Sequence, residues 1–345
     1  MAVTGGTTKI IHTQYNGLRT DISDIRVTDW GQSMLSSAIA DNDTVLSSQV
    51  DLLYKDIQAT HVHQTGSINT SVSVPDQGYI AAADTTQDYN TTTGAKTAVS
   101  GGTTMGWNDF DGAVITCQNY TPSHLGWPPG NFSPGVTTNS LRNPSWGTGG
   151  ATTPTAIYHV VTATFTSLAA RNYFFNAGGQ ITFSASGSSA GSGASQSKNQ
   201  DWIDMLSAMG TVYFDKFNTT GASGTSGGNG YTNMNTNYKT LFTKTGSGAY
   251  DDNSVLIQGK ASSNTVLRFR IKYNDGDVGT GNLGGAGTET PIDEPVTANI
   301  TSSVGSVRPD SSFTYNSTTY TACSLPAPVI DTQVSLTANN SSDPA

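Results

Sequence analysis

Alternating apolar and polar residues predict a strand in the segment RNYFFNAGGQITFSAS, which begins at Arg171. Ile181, Phe183 and Ala185 are separated by single Thr or Ser residues, so their side chains share one face of an extended chain. A Gly-Gly pair precedes them. Because glycine adopts positive φ without a Cβ clash, this pair predicts a turn or bulge after the aromatic run. The segment is typical of a strand with one buried face.

Other segments rich in Val, Thr and aromatic residues predict strands that pair with it. They are 158–165, 212–217, a strand beginning at Val255, 266–273, 296–304 and 329–336. One apolar stripe at helical spacing predicts a helix over 199–209 that ends at Gly210, and a helical turn is predicted at 237–242. The stripe consists of Trp202, Met205, Leu206 and Met209. This pattern predicts a mainly β fold with short helices: an antiparallel, jelly-roll-like β-sandwich with a packed helix.

Two short amphipathic helices are predicted before the β-rich region. The apolar residues of each fall three or four positions apart: Tyr15, Leu18, Ile22 and Ile25 in the first, and Val50, Leu53, Tyr54 and Ile57 in the second. Helices of about three turns are not stable alone in water, so these must pack on each other, on the β-rich region or on another subunit. We interpret residues 1–66 as a helical docking region whose partner contacts are Tyr15, Leu18, Ile22, Leu53 and Ile57.

Residues 67–150 are the least regular part of the sequence and predict a loop-rich segment with short strands, before a β-sandwich domain over 151–345. The alternating stretch INTSVSV, from Ile68, is one of those strands. Three tryptophans lie in the segment, at Trp107, Trp127 and Trp146. A tryptophan in a loop either covers the core, which is the commoner role of a large aromatic side chain, or forms an exposed platform for stacking sugars.

Composition narrows the class of protein. The chain has 345 residues, of which 38 are Gly and only 12% are charged, and its formal net charge is -9. Abundant Gly, Ser and Thr with few charges is typical of extracellular or virion β-proteins rather than metabolic enzymes. A net negative charge repels phosphate backbones and anionic lipid, so we expect no nucleic-acid binding. Arg268, Arg270 and Lys272 alternate on one strand, which we interpret as a solvated face and not as a basic patch.

The apolar runs of the chain do not suggest a membrane segment, and its cysteines do not suggest a disulfide framework. No signal-peptide-like or membrane-spanning apolar run is present, so we expect no membrane insertion. Cys117 and Cys323 are too few for a disulfide framework and predict two reduced, partly buried thiols.

Two regions resemble a known family. The first comprises YNGLRTDISDI, WGQSMLSSAI and LLYKDIQATHVHQTG, and the second comprises RNYFFNAGGQITFSAS, WIDMLSAMGTVYF and LRFRIKYNDG. In this order they resemble virion structural proteins of tailed bacteriophages, notably phages of cyanobacteria, over about half of the chain. The resemblance implies a tail, neck, collar or fibre-associated component made in the host cytoplasm and built into the particle. It also implies a homo-oligomer, either a trimer or a ring with the symmetry of the tail, that contacts other tail or neck proteins.

The lack of common catalytic and metal-binding motifs favours a non-enzymatic protein without a cofactor. The chain has no P-loop, GxSxG, HExxH or CxxC motif. Four acidic pairs could bind calcium or act as paired carboxylates, although none has the spacing of a calcium loop and such pairs are usually turn residues: Asp109/Asp111, Asp251/Asp252, Asp275/Asp277 and Asp293/Glu294.

His61 and His63 are the one histidine pair with metal-ligand spacing. On a strand they would point the same way, and three copies around a threefold axis could present six imidazoles to a metal. They fall at the end of a predicted helix, where residues two apart do not share a face, so we favour hydrogen bonds that end the helix. Two functions stay open: a structural protein of the phage particle, and a tail-fibre module that binds a host-surface glycan through Trp107, Trp127 or Trp146.

Overall fold

The computed structural model describes the two predicted helical segments and most of the β-rich region. The described residues are 12–41, 43–70, 87–90, 95–98, 107–120, 132–134, 138–142, 146–147, 156–188, 195–276, 281–282, 291–292, 295–309, 312–315, 317–321, 323, 325 and 327–336. The predicted strand INTSVSV lies largely outside them, as do Trp127, Asp277, Asp293 and Glu294.

Short helices and many antiparallel strands make up the chain. The helices are α1 (His12–Ser23), continued by a π-helical turn (Asp24–Asp29), α2 (Ser47–Thr65), α3 (Trp107–Asn119), α4 (Leu168–Asn176) and α5 (Ser195–Met209). The strands in the first half are β1 (Gln87–Asn90), β2 (Ala95–Ala98), β3 (Phe132–Pro134), β4 (Thr138–Arg142), β5 (Ala156–Thr164) and β6 (Gln180–Ser188). They continue with β7 (Val212–Phe214), β8 (Thr219–Thr220), β9 (Thr225–Ser226), β10 (Lys239–Thr245), β11 (Ser254–Ala261) and β12 (Val266–Asn274). The last are β13 (Gly281–Asn282), β14 (Pro291–Ile292), β15 (Asn299–Pro309), β16 (Ser312–Tyr315), β17 (Thr318–Thr321) and β18 (Val329–Leu336).

The chain forms two compact units. The helical unit comprises Met1–Ser133 and Pro309–Leu325, and the sandwich unit comprises Pro134–Arg308 and Pro326–Ala345. The sequence predicts one sandwich domain over 151–345. In the structure, the segment Pro309–Leu325 instead belongs to the helical unit.

The sandwich unit consists of two antiparallel sheets. The first sheet has the order β18-β5-β12-β11-β10-β9, and the second contains β4, β15, β6, β7 and β8 in that order. Side chains alternate between buried and partly exposed along β12, as its sequence predicts. The predicted mainly β fold with short helices is confirmed.

Apolar side chains from both sheets meet in one core, which makes the arrangement a sandwich. Phe269 on β12 of the first sheet contacts two residues of the second, with ring centroids 5.1 Å from Phe183 and 5.4 Å from Phe214. All three are fully buried or nearly so. Such edge-to-face aromatic contacts add to the free energy gained by burying their area.

Helix α5 packs against this core through the predicted stripe. Trp202, Met205, Leu206 and Met209 are all buried, and the Trp202 ring lies 5.0 Å from that of Trp146. Asn199 fixes the first turns, because its side-chain oxygen accepts hydrogen bonds from the backbone N–H groups of Thr297 and Ala298. The predicted helix over 199–209 is therefore confirmed and begins earlier, at Ser195.

One element was not predicted, and one local prediction was wrong. The aromatic run before the Gly-Gly pair forms helix α4, capped by the Ser167 side chain, which accepts from the Ala170 N–H. The turn itself is confirmed at Gly178, which has φ of 87°. Residues 237–242, predicted as a helical turn, belong largely to strand β10, because pairing with β11 and burial of Leu241 and Phe242 override the local preference.

The helical unit is built on three helices rather than two. Phe110, Val114 and Cys117 of α3 are buried in the same cluster as the apolar faces of α1 and α2. Helix α3 lies in the segment that we predicted to be loop-rich. A third apolar face explains how helices that are marginal in isolation become stable within one chain.

The hairpin of β16 and β17 packs on α2. The Tyr315 hydroxyl donates a hydrogen bond of 2.6 Å to the Asp51 carboxylate, and its ring lies 5.7 Å from that of Tyr54. Lys55 lies 4.7 Å from the centre of the same ring. These contacts are the physical reason why this hairpin belongs to the helical unit.

Candidate functional site

Basic and tyrosine side chains gather on the outer face of the first sheet. Arg268, Arg270 and Lys272 alternate along β12 and point away from the buried core residues between them. Antiparallel pairing with β11 adds Lys260, which is directly opposite Arg268. We call these four residues, together with Tyr158 and Tyr238, the cationic face. The expectation that no basic patch exists was wrong, because strand pairing joins residues that are separate in the sequence.

Tyr238 is the centre of the cationic face. Arg270 lies 4.0 Å and Lys260 lies 4.5 Å from the centre of its ring, so two cations contact one aromatic side chain. Lys272 lies 5.9 Å from the ring of Tyr158 on β5. The Arg270 Nε also donates a hydrogen bond of 2.7 Å to the Gln258 side chain on β11. These contacts hold the basic side chains in defined positions.

Like charges are held close together on this face. Directly opposite residues in an antiparallel pair have Cβ atoms about 5 Å apart, and like charges at that position are destabilising. Lys260 and Arg268 occupy such a position. The exposed carboxylate of Asp331 on β18 is two strands from Arg268, which is about 10 Å at the usual strand spacing. Lys260 and Arg268 therefore lie at positions where like charges repel each other.

Burial changes the ionisation of the central groups. It raises the pKa of the Tyr238 hydroxyl, while Arg268 and Arg270 act in the opposite direction. Burial also lowers the pKa of Arg270 from its ordinary value. An arginine keeps its charge at neutral pH, and the tyrosine stays a neutral donor. The cationic face therefore keeps its positive charges at neutral pH, whereas the Tyr238 hydroxyl is buried.

The five predicted docking residues are inside the helical unit. Tyr15, Ile22, Leu53 and Ile57 have no exposed surface, and Leu18 is 4% exposed. They contact one another and α3, and the Tyr15 hydroxyl donates to the Gln49 carbonyl oxygen. These side chains form a core, so a docking surface on this unit must use other residues.

Of the three predicted sugar-stacking tryptophans, one is buried and two have side chains outside the described residues. Trp146 has no exposed surface and contacts Trp202 in the sandwich core, so it covers the core and does not present a platform for a glycan. Trp107 begins α3, and its side chain lies outside the described part of the chain, as does the whole of Trp127.

His61 and His63 lie near the end of α2 and make separate contacts. The His61 Nδ1 is 2.9 Å from the Ser67 carbonyl oxygen just beyond the helix. His63 is fully buried, and its ring lies 4.3 Å from that of Trp30. Among the described residues, no group of three or more His, Cys, Asp or Glu side chains could hold a metal ion.

The cysteines and the acidic pairs also occupy distinct environments. Cys117 and Cys323 are both buried in the helical unit, and burial raises the pKa of the Cys117 thiol to about 12.

Asp251 and Asp252 lie in a turn before β11, whereas Asp275 is buried and forms an ion pair with Lys198. Asp109 and Asp111 are on α3, where the side chain of Asp109 is outside the described set.

A serine, a histidine and a tyrosine form a polar cluster in the interior that the sequence did not suggest. The Ser302 hydroxyl forms hydrogen bonds with the His159 Nδ1 and the Tyr273 hydroxyl. All three residues are at most 2% exposed, and burial raises the pKa of Tyr273. Since a nucleophile must meet its substrate, this arrangement is better explained by mutual hydrogen bonding of buried polar groups.

Comparison of the chain with protein-family models, with curated proteins and with solved structures finds no match. Across the described helices, none combines the length and the apolar character that a bilayer crossing needs.

Proposed function

We propose that the chain is a non-enzymatic structural protein of a tailed bacteriophage particle, at the tail, neck, collar or fibre. One observation supports this most: the three segments of the second resembling region form one packed module. RNYFFNAGGQITFSAS supplies α4 and β6, WIDMLSAMGTVYF supplies α5 and β7, and LRFRIKYNDG supplies β12. Buried side chains from all of them belong to one core. Three resembling segments that share a single core are what a shared fold module would produce.

Particle association is the test of this proposal. Particles of the phage that encodes the chain would be purified by density gradient, and their proteins digested and identified by mass spectrometry. Peptides of this chain should be present at a constant ratio to a known tail protein. If they are abundant in the infected cell but lost from purified particles, the structural role is contradicted.

A second candidate function is binding of an acidic host-surface glycan by the cationic face. The favouring observation is the cluster of four basic side chains with two tyrosines on one sheet surface of a protein whose net charge is -9. Such a protein repels long polyanions at a distance but can hold carboxylate or sulfate groups at a local patch. In this second candidate function, the glycan contacts the cationic face and not the tryptophans.

A glycan array with acidic and neutral polysaccharides tests the second candidate. The double variant Lys260→Ala with Lys272→Ala should lose acidic-glycan binding at least tenfold, and added salt should weaken binding by the wild type. Lys216→Ala, which removes a lysine from the turn between β7 and β8, is the matched control and should bind normally. Equal binding by all three proteins, or binding of neutral glycans only, would remove the cationic face as the site.

A further inference from the structure

A lysine and an aspartate of the sandwich unit are buried against each other. The Lys198 Nζ on α5 lies 2.6 Å from the Asp275 Oδ2 just after β12, and both side chains have no exposed surface. Lysine and aspartate are rarely buried completely. The desolvation of two ions offsets much of their attraction, so a buried ion pair contributes little to stability by itself. This pair therefore needs another explanation.

Both backbones that carry the pair are fixed by hydrogen bonds. Asn199, next to Lys198, is bonded to Thr297 and Ala298. On the other side, the Gly276 N–H donates to the Asn253 side-chain oxygen at 3.0 Å. A pair of reacting groups held this way can have an effective concentration far above any attainable in solution, about 10⁵ M or more.

The surroundings of the pair exclude water. A Cβ placed on Gly147 would lie 2.2 Å from the Asp275 Oδ2, so the backbone of Gly147 packs directly on the carboxylate. Trp202, one helical turn after Lys198, has no exposed surface and contacts Trp146 and Tyr273. A dry, weakly polar environment favours the neutral forms of an amine and a carboxylic acid over the two ions.

We propose that Lys198 and Asp275 condense to an intramolecular amide bond that links α5 covalently to the end of β12. A proton first passes from the ammonium to the carboxylate, which leaves a neutral amine and a neutral acid. The nitrogen lone pair attacks the carboxyl carbon Cγ, a carbon–nitrogen bond forms, and the carbon–hydroxyl bond breaks. The hydroxyl leaves with a proton from the nitrogen as one water molecule. No atom changes oxidation state, and no co-reactant is consumed.

This bond would hold α5 and the end of β12 together covalently, whereas the fold otherwise holds them only by packing. The described cysteines both belong to the helical unit, so no disulfide joins the strands of the sandwich. An amide between Lys198 and Asp275 closes a loop that contains β7 to β12. It also replaces two buried ions by one neutral group, which removes the cost of keeping charges away from water. The inference is independent of the proposed function.

Mass spectrometry of the full-length protein tests the bond directly. The intact wild type should be lighter than its sequence by one water molecule. Trypsin should fail to cut after Lys198, and a branched peptide containing Lys198 and Asp275 should be found. Lys198→Arg keeps the positive charge but offers no amine, so this variant should have its full sequence mass. Asp275→Ala should also have its full mass.

A competing reaction also loses water and must be distinguished. Asp275 precedes Gly276, and the Gly276 nitrogen can attack the same carboxyl carbon to give a cyclic imide. That product would persist in Lys198→Arg, would leave Lys198 open to trypsin and would be opened by hydroxylamine. Its detection, or a wild type at full sequence mass both when fresh and after prolonged incubation, would overturn the proposal. The wild-type result decides the matter even if a variant fails to fold.

Discussion

At the scale of single residues, the stability of the sandwich depends on large aromatic side chains that no small side chain could replace. Trp202 has no exposed surface and lies between Trp146 and Tyr273. Trp202→Ala should lower the free energy of unfolding by about 3–5 kcal/mol, because it leaves a cavity that the surrounding rings cannot fill. Urea denaturation followed by circular dichroism measures this loss.

Tyr213 is the matched control for that variant. It lies on β7 of the same unit and is 38% exposed. Tyr213→Ala should change the free energy of unfolding by no more than about 1 kcal/mol, since it opens no internal cavity. A similar loss of unfolding free energy in both variants would show that the burial of Trp202 does not determine its contribution to stability.

The buried thiol of Cys117 gives an alkaline dependence of stability. Burial raises its pKa from 9.0 to about 12, so the thiol ionises in the unfolded chain before it ionises in the folded one. Burial raises the pKa of Tyr15 and Tyr54 in the same unit. The unfolded state therefore releases more protons, and the free energy of unfolding falls as pH rises from about 9 to about 12. Cys117→Ala should have a shallower decline in denaturant titrations over that range, and an identical decline would contradict the assignment.

At the scale of elements, the hairpin of β16 and β17 should stabilise α2. Tyr315→Phe removes the hydrogen bond to Asp51 and should cost about 1 kcal/mol. Tyr315→Ala also removes the ring from Tyr54 and Lys55 and should cost more, about 2 kcal/mol for a partly buried aromatic. The hydrogen-exchange rates of the α2 backbone amides measure the effect of each variant on this helix. Unchanged exchange in Tyr315→Ala would mean that the hairpin does not support the helix.

The elements also show what local sequence can and cannot predict. Strand β12 and helix α5 were predictable because their apolar residues repeat with a clear period. Phe110, Ala113, Val114 and Cys117 of α3 also have helical spacing, but the surrounding Gly- and Thr-rich sequence hid that signal. The cationic face was not predictable, since Tyr238 and Lys260 join β12 only through sheet pairing. The contact of Lys198 with Asp275 likewise depends on the folded chain.

In the whole molecule, helices α1 and α2 give no reason for self-association. The apolar faces of α1 and α2 are filled within the chain, so they no longer require a partner. Two features still favour assembly. Only 12% of residues are charged, so a surface can be buried without stranding many ions. Strand β18 is also an edge of the first sheet, and within the described residues no other strand pairs with its outer side.

We therefore predict that the protein is a homo-oligomer, a trimer or a ring with the symmetry of a phage tail, and that β18 contributes to its interface. Val329 on β18, the last strand of the first sheet, is 68% exposed and can be buried against another copy of the chain. Light scattering of the purified protein should give a mass several times that of one chain. Val329→Lys should lower that mass, because a charge at the edge opposes strand pairing, whereas Phe217→Lys, at a residue 45% exposed outside β18, should not. A monomer at every concentration, together with single copies in particle images, would contradict the oligomer; an oligomer insensitive to Val329→Lys would place its interface elsewhere.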